Sequence, residues 1–147
     1  GYYNNPQATA DAIDNDGWLH SGDLGVMDKE GFLSITGRYK DMIIRGGENI
    51  YPKEIEEFLY RMEGVQDIQV AAVPSQKYGE EVGAFIIRKK DSDIEESDVK
   101  DFCRGNISRH KIPRYVTFVE GYPMTASGKI QKYKLSEMSE TIWPDRR

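Results

Sequence analysis

Apolar positions fall at helical spacing most plainly across residues 52–63. There Ile55, Phe58, Leu59 and Met62 stand at i, i+3, i+4 and i+7 and make one stripe. Pro52 suits the first helical position, where its missing N–H costs nothing. Glu54, Glu56 and Glu57 lie toward the N-terminal end, where the helix dipole favours anions, and Gly64 supplies the stop. Two apolar runs follow at 65–73 and 81–87 and read as strands separated by a loop at 74–79. Ser92 or Asp93 then opens a second helix over 94–107, with Val99, Phe102 and Cys103 as its apolar stripe. Pro113 precedes a third strand at 115–120, and the tail over 129–138 is basic and then helical.

Upstream the pattern is broken into shorter pieces. Residues 32–36 form a strand by β-branched and aromatic content, reached through a hairpin-type connection at 28–31. Residues 37–41 break it, and 42–44 make another strand that stops at Gly46-Gly47. Residues 16–25 read as turn, short strand, turn, from their Asp-Gly and Ser-Gly pairs. Thr9 is the expected N-cap of a short helix ending at Ile13. From residue 42 onward the order is βαββαβ with a terminal helix. The expected fold class is α+β: a small three-stranded mixed sheet with packed helices, plus a two-stranded β-hairpin, preceded by short β pieces.

Composition narrows the function. A chain of 147 residues with 38% hydrophobic and 31% charged residues builds one modest core, as one domain or a small domain with an attached segment. No run approaches the ~18 apolar residues of a spanning helix, so no transmembrane segment is expected, and no basic-then-apolar leader opens the chain. A net charge of −5 argues against general nucleic-acid binding. The single cysteine, Cys103, excludes an internal disulfide and fits a reducing, cytoplasmic setting, with the thiol as a small core residue. The first residue is glycine, which points to a chain processed or cut from something longer.

Three islands carry possible chemistry. Ser21-Gly22-Asp23 holds a carboxylate on a glycine turn, fit to accept two hydrogen bonds from a sugar diol or simply to satisfy its own backbone. Gly37-Arg38-Tyr39-Lys40-Asp41, followed by Arg45-Gly46-Gly47-Glu48-Asn49, sets charges between two strands and then a glycine pair. Such a pair admits close approach of another group or positive φ, and equally suits a hairpin with a solvated charge cluster. Neither spacing of the common phosphate loops is present. Thr125-Ala126-Ser127-Gly128-Lys129 puts one lysine at the tip of a Ser-Gly loop, suited to an arriving anion or to ordinary surface exposure. Lys132 and Lys134 would raise the local potential. No catalytic triad is present, His110 reads as a cation at a helix C-terminus, and two histidines with one cysteine leave too few ligands for zinc.

In this order the islands resemble the adenylate-forming superfamily, which holds acyl-CoA synthetases, firefly luciferase and peptide-synthetase adenylation domains. Gly17-Trp18-Leu19-His20-Ser21-Gly22-Asp23-Leu24 is similar to the end of that family's large N-terminal domain. Gly37 to Ile43, with Gly47, Ile50, Pro52, Glu54, Ile55 and Glu56, resembles its hinge and first C-terminal motif. Pro123-Met124-Thr125-Ala126-Ser127-Gly128-Lys129-Ile130 resembles its final lysine-bearing motif. Tyr51-Pro52-Lys53-Glu54-Ile55-Glu56 and the Gly-Gly-Glu-Asn approach look most like a synthetase for fatty acids.

The resemblance implies two steps. A carboxylate attacks the α-phosphate of Mg-ATP to give acyl-AMP and pyrophosphate, and coenzyme A thiol then displaces AMP. Both partners of the first step are anions, so a cation is needed between them; the resemblance gives that role to Lys129. It gives the ribose diol to Asp23 and Arg38, the hinge to Lys40, and the pantetheine path to Gly46 and Gly47. Residues 1–39 would be the edge of the large domain and 40–147 the lid, with ATP/AMP, Mg2+ and coenzyme A as partners of the full enzyme and none held by the lid alone. The expected partner is the large N-terminal domain, and the chain alone is expected to be inactive. Ser21 stands where threonine is common, and Lys132 where arginine is common. Two alternatives stay open: an acyl-AMP ligase or luciferase-like member with another acceptor, and a stand-alone interaction module that keeps the lid fold.

Overall fold

The computed structural model of this chain describes residues 1–144, so the last three positions of the expected 40–147 lid lie outside the described residues. The chain divides into two units at Lys40/Asp41.

The first unit holds α1 (Pro6–Ala12), β1 (Asp23–Met27) and β2 (Leu33–Arg38). The helix starts a turn earlier than the sequence reading set it. Asn5, not Thr9, is the N-cap: its side chain accepts from the Ala8 N–H at 3.0 Å, and Pro6 takes the first helical position. That Asn-Pro pair supplies both a cap and a preset φ, a stronger start than Thr9 offers. Thr9 lies inside the helix and accepts from the Tyr2 N–H at 2.8 Å. The short strand expected around Trp18 reduces to one bridge between Ile13 and Leu19. β1 and β2 pair antiparallel with Asp23 opposite Arg38, and a bulge interrupts the register at Leu24/Gly25. No residue of this unit is buried.

The second unit follows a 3-10 turn at Tyr39–Asp41 and runs β3 (Ile43–Arg45), β4 (Glu48–Ile50), α2 (Pro52–Leu59), β5 (Val65–Ser75), β6 (Gly79–Arg88), α3 (Glu96–Cys103), β7 (Tyr115–Phe118) and α4 (Lys132–Ile142). The three longer-range strands make the mixed sheet: β5 pairs β6 antiparallel and β7 pairs β6 parallel. The β3–β4 hairpin joins this sheet through one pairing, Arg45 opposite Gly79. β6 is covered on both faces. Val82, Ala84 and Ile86 meet Ile55, Leu59, Val99 and Cys103 of α2 and α3, while Phe85 points the other way to Leu135 of α4 and to Tyr122. That double burial is why its sequence reads as a continuous apolar run rather than an alternation.

Both helix boundaries shrink relative to the sequence pattern. α2 ends at Leu59, and Met62 keeps its place in the core from a tighter turn closed by its N–H on Leu59 O. α3 opens at Glu95 rather than Ser92 or Asp93, because Glu95 and Asp98 cap each other's backbone N–H groups in a capping box. It closes at Cys103, so His110 sits in a separate 3-10 turn (Arg109–Lys111) and not at that helix's C-terminus. Phe102 lies at the margin of the stripe, its ring 5.0 Å from that of Phe58. No helix is long and apolar enough to cross a membrane among the described residues.

Candidate functional site

Asp23 and Arg38 come together. They face each other across the β1–β2 ladder, and Arg38 Nε donates to Asp23 Oδ1 at 2.9 Å. Ser21 Oγ accepts from the Asp23 N–H at 3.1 Å, so the hydroxyl at that position shapes the turn that presents the carboxylate. The guanidinium hydrogen-bonded to it holds the Asp23 carboxyl below its ordinary value of 3.8. The pair stands in solvent, an acceptor-rich carboxylate beside a planar donor fork, a fit surface for vicinal hydroxyls. Lys40 is the exposed middle residue of the 3-10 turn at Tyr39–Asp41.

Gly46 and Gly47 form the two-residue turn between β3 and β4, with φ of +58° and +90°. Those values explain the glycine pair directly, since both central positions of such a turn need the left-handed region. The turn is braced by the side chains around it. Arg45 makes a two-point ion pair with Glu81, at 2.6 and 3.1 Å, and Glu81 is only 6% exposed. That hydrogen bond raises the Arg45 pKa above its ordinary value. The Arg45 guanidinium also lies 4.3 Å over the Tyr78 ring, while Tyr78 O accepts from the Gly46 N–H at 2.9 Å. A Cβ on Gly46 would meet the Tyr78 ring at 3.2 Å, whereas the space around Gly47 is open in this chain.

Lys129 occupies another loop of the second unit, between β7 and α4. Thr125 closes it: its N–H donates to Lys129 O at 2.8 Å, its Oγ1 accepts from the Lys129 N–H at 3.0 Å, and its carbonyl accepts from the Gly128 N–H at 2.9 Å. Met124 and Ile130 bridge at the base, and the whole turn is exposed. The ammonium forms no ion pair among the described residues, so its charge is available to an anion. The expected help from Lys132 is absent. Its Nζ is 2.5 Å from Glu56 Oε1, which neutralises it within the domain. Among the described residues no group of three or more His, Cys, Asp or Glu gathers as a metal site.

Residues 54–129 match the family model described as the AMP-binding enzyme C-terminal domain, just over half of the chain, and the match ends on Lys129. The chain belongs to that family. Its relatives agree. YngI of Bacillus subtilis, named as an acyl-CoA synthetase, is 60% identical over 137 residues, which cover 93% of this chain and 25% of YngI. The rat medium-chain acyl-CoA ligase ACSF2, a mitochondrial protein, is 51% identical over 140 residues, 95% of this chain and 23% of its own. The crystal structure of ATP-bound MatB from Rhodopseudomonas palustris superposes with a TM-score of 0.89 at 38% identity, covering 97% of this chain and 28% of MatB. The chain thus spans about a quarter of the length of the curated relatives it matches. Sequence reasoning misses Glu81 and Tyr78, and the partners of Arg45 and Glu56, which it names only within their motifs. The signal for Glu81 is a charge at the head of an apolar strand run; Tyr78, in the turn between β5 and β6, has none.

Proposed function

We propose that this chain is the C-terminal mobile domain, with the adjoining edge of the large domain, of an ATP-dependent acyl-CoA synthetase acting on a fatty-type carboxylic acid. The observation that carries the reading is Lys129: an ion-pair-free ammonium on an exposed loop whose backbone is held at both N–H and carbonyl by Thr125. In the adenylation step that cation sits between the carboxylate and the α-phosphate, offsets the repulsion of two anions, and gains most as charge builds on the phosphoryl oxygens. Pyrophosphate leaves, and coenzyme A thiol then displaces AMP from acyl-AMP. Asp23 and Arg38 present the ribose-binding edge, Lys40 is the hinge, and the Gly46-Gly47 turn lines the pantetheine path without side-chain bulk.

The names of YngI and ACSF2 support the acyl-CoA chemistry, and the ATP in MatB supports the nucleotide. Ten large apolar residues of the first unit are exposed, among them Trp18, Val26, Phe32 and Leu33, which supports a large N-terminal domain of the same enzyme as the partner that covers them. Mg2+ would travel with ATP, and its protein ligands would come from that domain. A reducing, cytoplasmic setting belongs to the same reading, supported by the single cysteine, Cys103, standing as a free thiol.

The test uses the intact enzyme. Lys129→Ala abolishes acid-dependent ATP–pyrophosphate exchange and largely spares thioester formation from supplied acyl-AMP. Equal loss of the two half-reactions, or no loss of exchange, overturns the role.

A further inference from the structure

Lys132 opens α4, the helix that follows the Lys129 loop. A cation is disfavoured in the first turn of a helix, where the dipole is positive, and that turn holds no acidic residue to offset it. Yet Lys132 is only 20% exposed along its side chain, and its charge is met by Glu56, 17% exposed, at 2.5 Å. Glu56 Oε1 also accepts from the Val70 N–H at 2.7 Å. β5 is an edge strand, so that N–H has no strand neighbour on its outer side and needs another acceptor. One carboxylate oxygen therefore joins α2, β5 and the first residue of α4.

The joint lies three residues from Lys129. The hydrogen bonds around Thr125 fix the shape of the exposed loop but not where it stands on the domain. Its footing comes from below: Gln131 N–H donates to Pro123 O at 2.9 Å, Ile130 packs against the Phe85–Leu135 cluster, and Lys132 reaches Glu56. Of these ties, the ion pair is the one that crosses to α2. Misplacement of a catalytic group by about 1 Å costs on the order of a hundredfold in rate.

We propose that Glu56 and Lys132 are positioning residues for adenylation, an ion-paired strut that sets where the Lys129 ammonium stands. The inference rests on the reading of Lys129 given above and names the residues through which that reading works. The strut touches neither substrate nor nucleotide. A role confined to stability would depress both half-reactions alike; a positioning role separates them.

The experiment compares variants of the intact enzyme in the two half-reactions, with melting temperature recorded beside each. Lys132→Met keeps the stem and removes the charge; it lowers ATP–pyrophosphate exchange by about tenfold or more while thiolysis of supplied acyl-AMP stays within about twofold. Glu56→Gln keeps an acceptor for the Val70 N–H and gives the same selective loss. The double variant is no worse than either single one, as expected of two residues acting as a unit. Lys132→Arg restores exchange to within a few fold. Equal loss in both half-reactions, or no rescue by arginine, overturns the strut. Exchange lost in Lys129→Ala but unchanged in Lys132→Met overturns the strut alone; exchange surviving Lys129→Ala overturns both the strut and the reading beneath it.

Discussion

Residues 1–40 hold a helix and a hairpin and bury nothing, whereas the unit from Asp41 onward closes two cores on opposite faces of one sheet. The two stretches are not different in kind as sequence. Both carry β-branched and aromatic strands, turn glycines and charged tips. They differ in what covers the apolar face. In the second unit β6 is covered on both faces, by α2 and α3 and by α4, and its residues from Val82 to Ile86 are fully withdrawn from water. In the first, Phe32 is 72% exposed and Trp18 73% exposed, because α1 has seven residues and none of them is buried. An apolar pattern alone therefore does not say where its partner surface lies.

The largest effect expected from this contrast is on folding stability. Phe85 lies fully buried between the sheet and α4, its ring centroid 5.5 Å from that of Trp143. Phe85→Ala in this chain costs about 3–5 kcal/mol in a denaturant titration. Phe32→Ala removes the same group from the first unit and changes stability by less than about 0.5 kcal/mol. Equal losses at the two sites would mean that the first unit has a core after all, and the contrast would fall.

A glycine substitution sharpens the same point at smaller scale. Gly83 lies in the middle of β6, and a Cβ there would stand 2.5 Å from Val73 Cγ2 and 3.3 Å from Ala71 O. Both are buried parts of the paired strand, so the added methyl must push the sheet apart, and Gly83→Ala costs about 1–3 kcal/mol. Gly25, in the β1–β2 hairpin, also meets close neighbours, Leu33 Cδ1 at 2.9 Å and the backbone Ser34 O at 3.1 Å. Leu33 is 60% exposed and can swing into solvent, and the exposed hairpin can give by the few tenths of an ångström that Ser34 O requires, so Gly25→Ala costs less than about 1 kcal/mol. Melting curves of the two variants rank them; a larger loss at Gly25 would reverse the argument.

These particulars also mark what sequence could and could not disclose. The α2 stripe, the β5 and β6 runs and the Gly46-Gly47 turn were legible because each is a local pattern with its own period or φ requirement. The Lys129 loop was legible as a turn for the same reason. The ties that hold these pieces in place were not, because their partners are far apart in the chain: Glu56 and Lys132 are separated by 76 positions, Arg45 and Glu81 by 36. Nothing local distinguishes Lys132 from Lys134, yet among the described residues only the first forms an ion pair, with Glu56. The caps of α1 and α3 fall on residues other than those the local pattern predicts, because several polar side chains compete nearby and reciprocal or proline-supported geometry decides between them.

The smallest effect is electrostatic and belongs to the first unit. Asp23 keeps its carboxyl below 3.8 through Arg38, so its contribution is present above that value and is lost as pH falls through the lowered folded value. Both side chains face solvent, where salt screens the pair and long side chains lose entropy on being held. The hairpin also carries no core for the pair to report on. Acidification through this window therefore leaves the melting temperature of the chain dependent on other groups, and Asp23→Asn at neutral pH leaves it unchanged. The local titration does move: the Asp23 carboxyl carbon, followed by NMR, titrates below 3.8 in the native sequence and returns to the ordinary carboxylate value in Arg38→Gln. A titration that Arg38→Gln leaves unmoved would show the lowered value to come from the Ser21 turn instead, and the pairing of diol acceptor with donor fork would lose its electrostatic support.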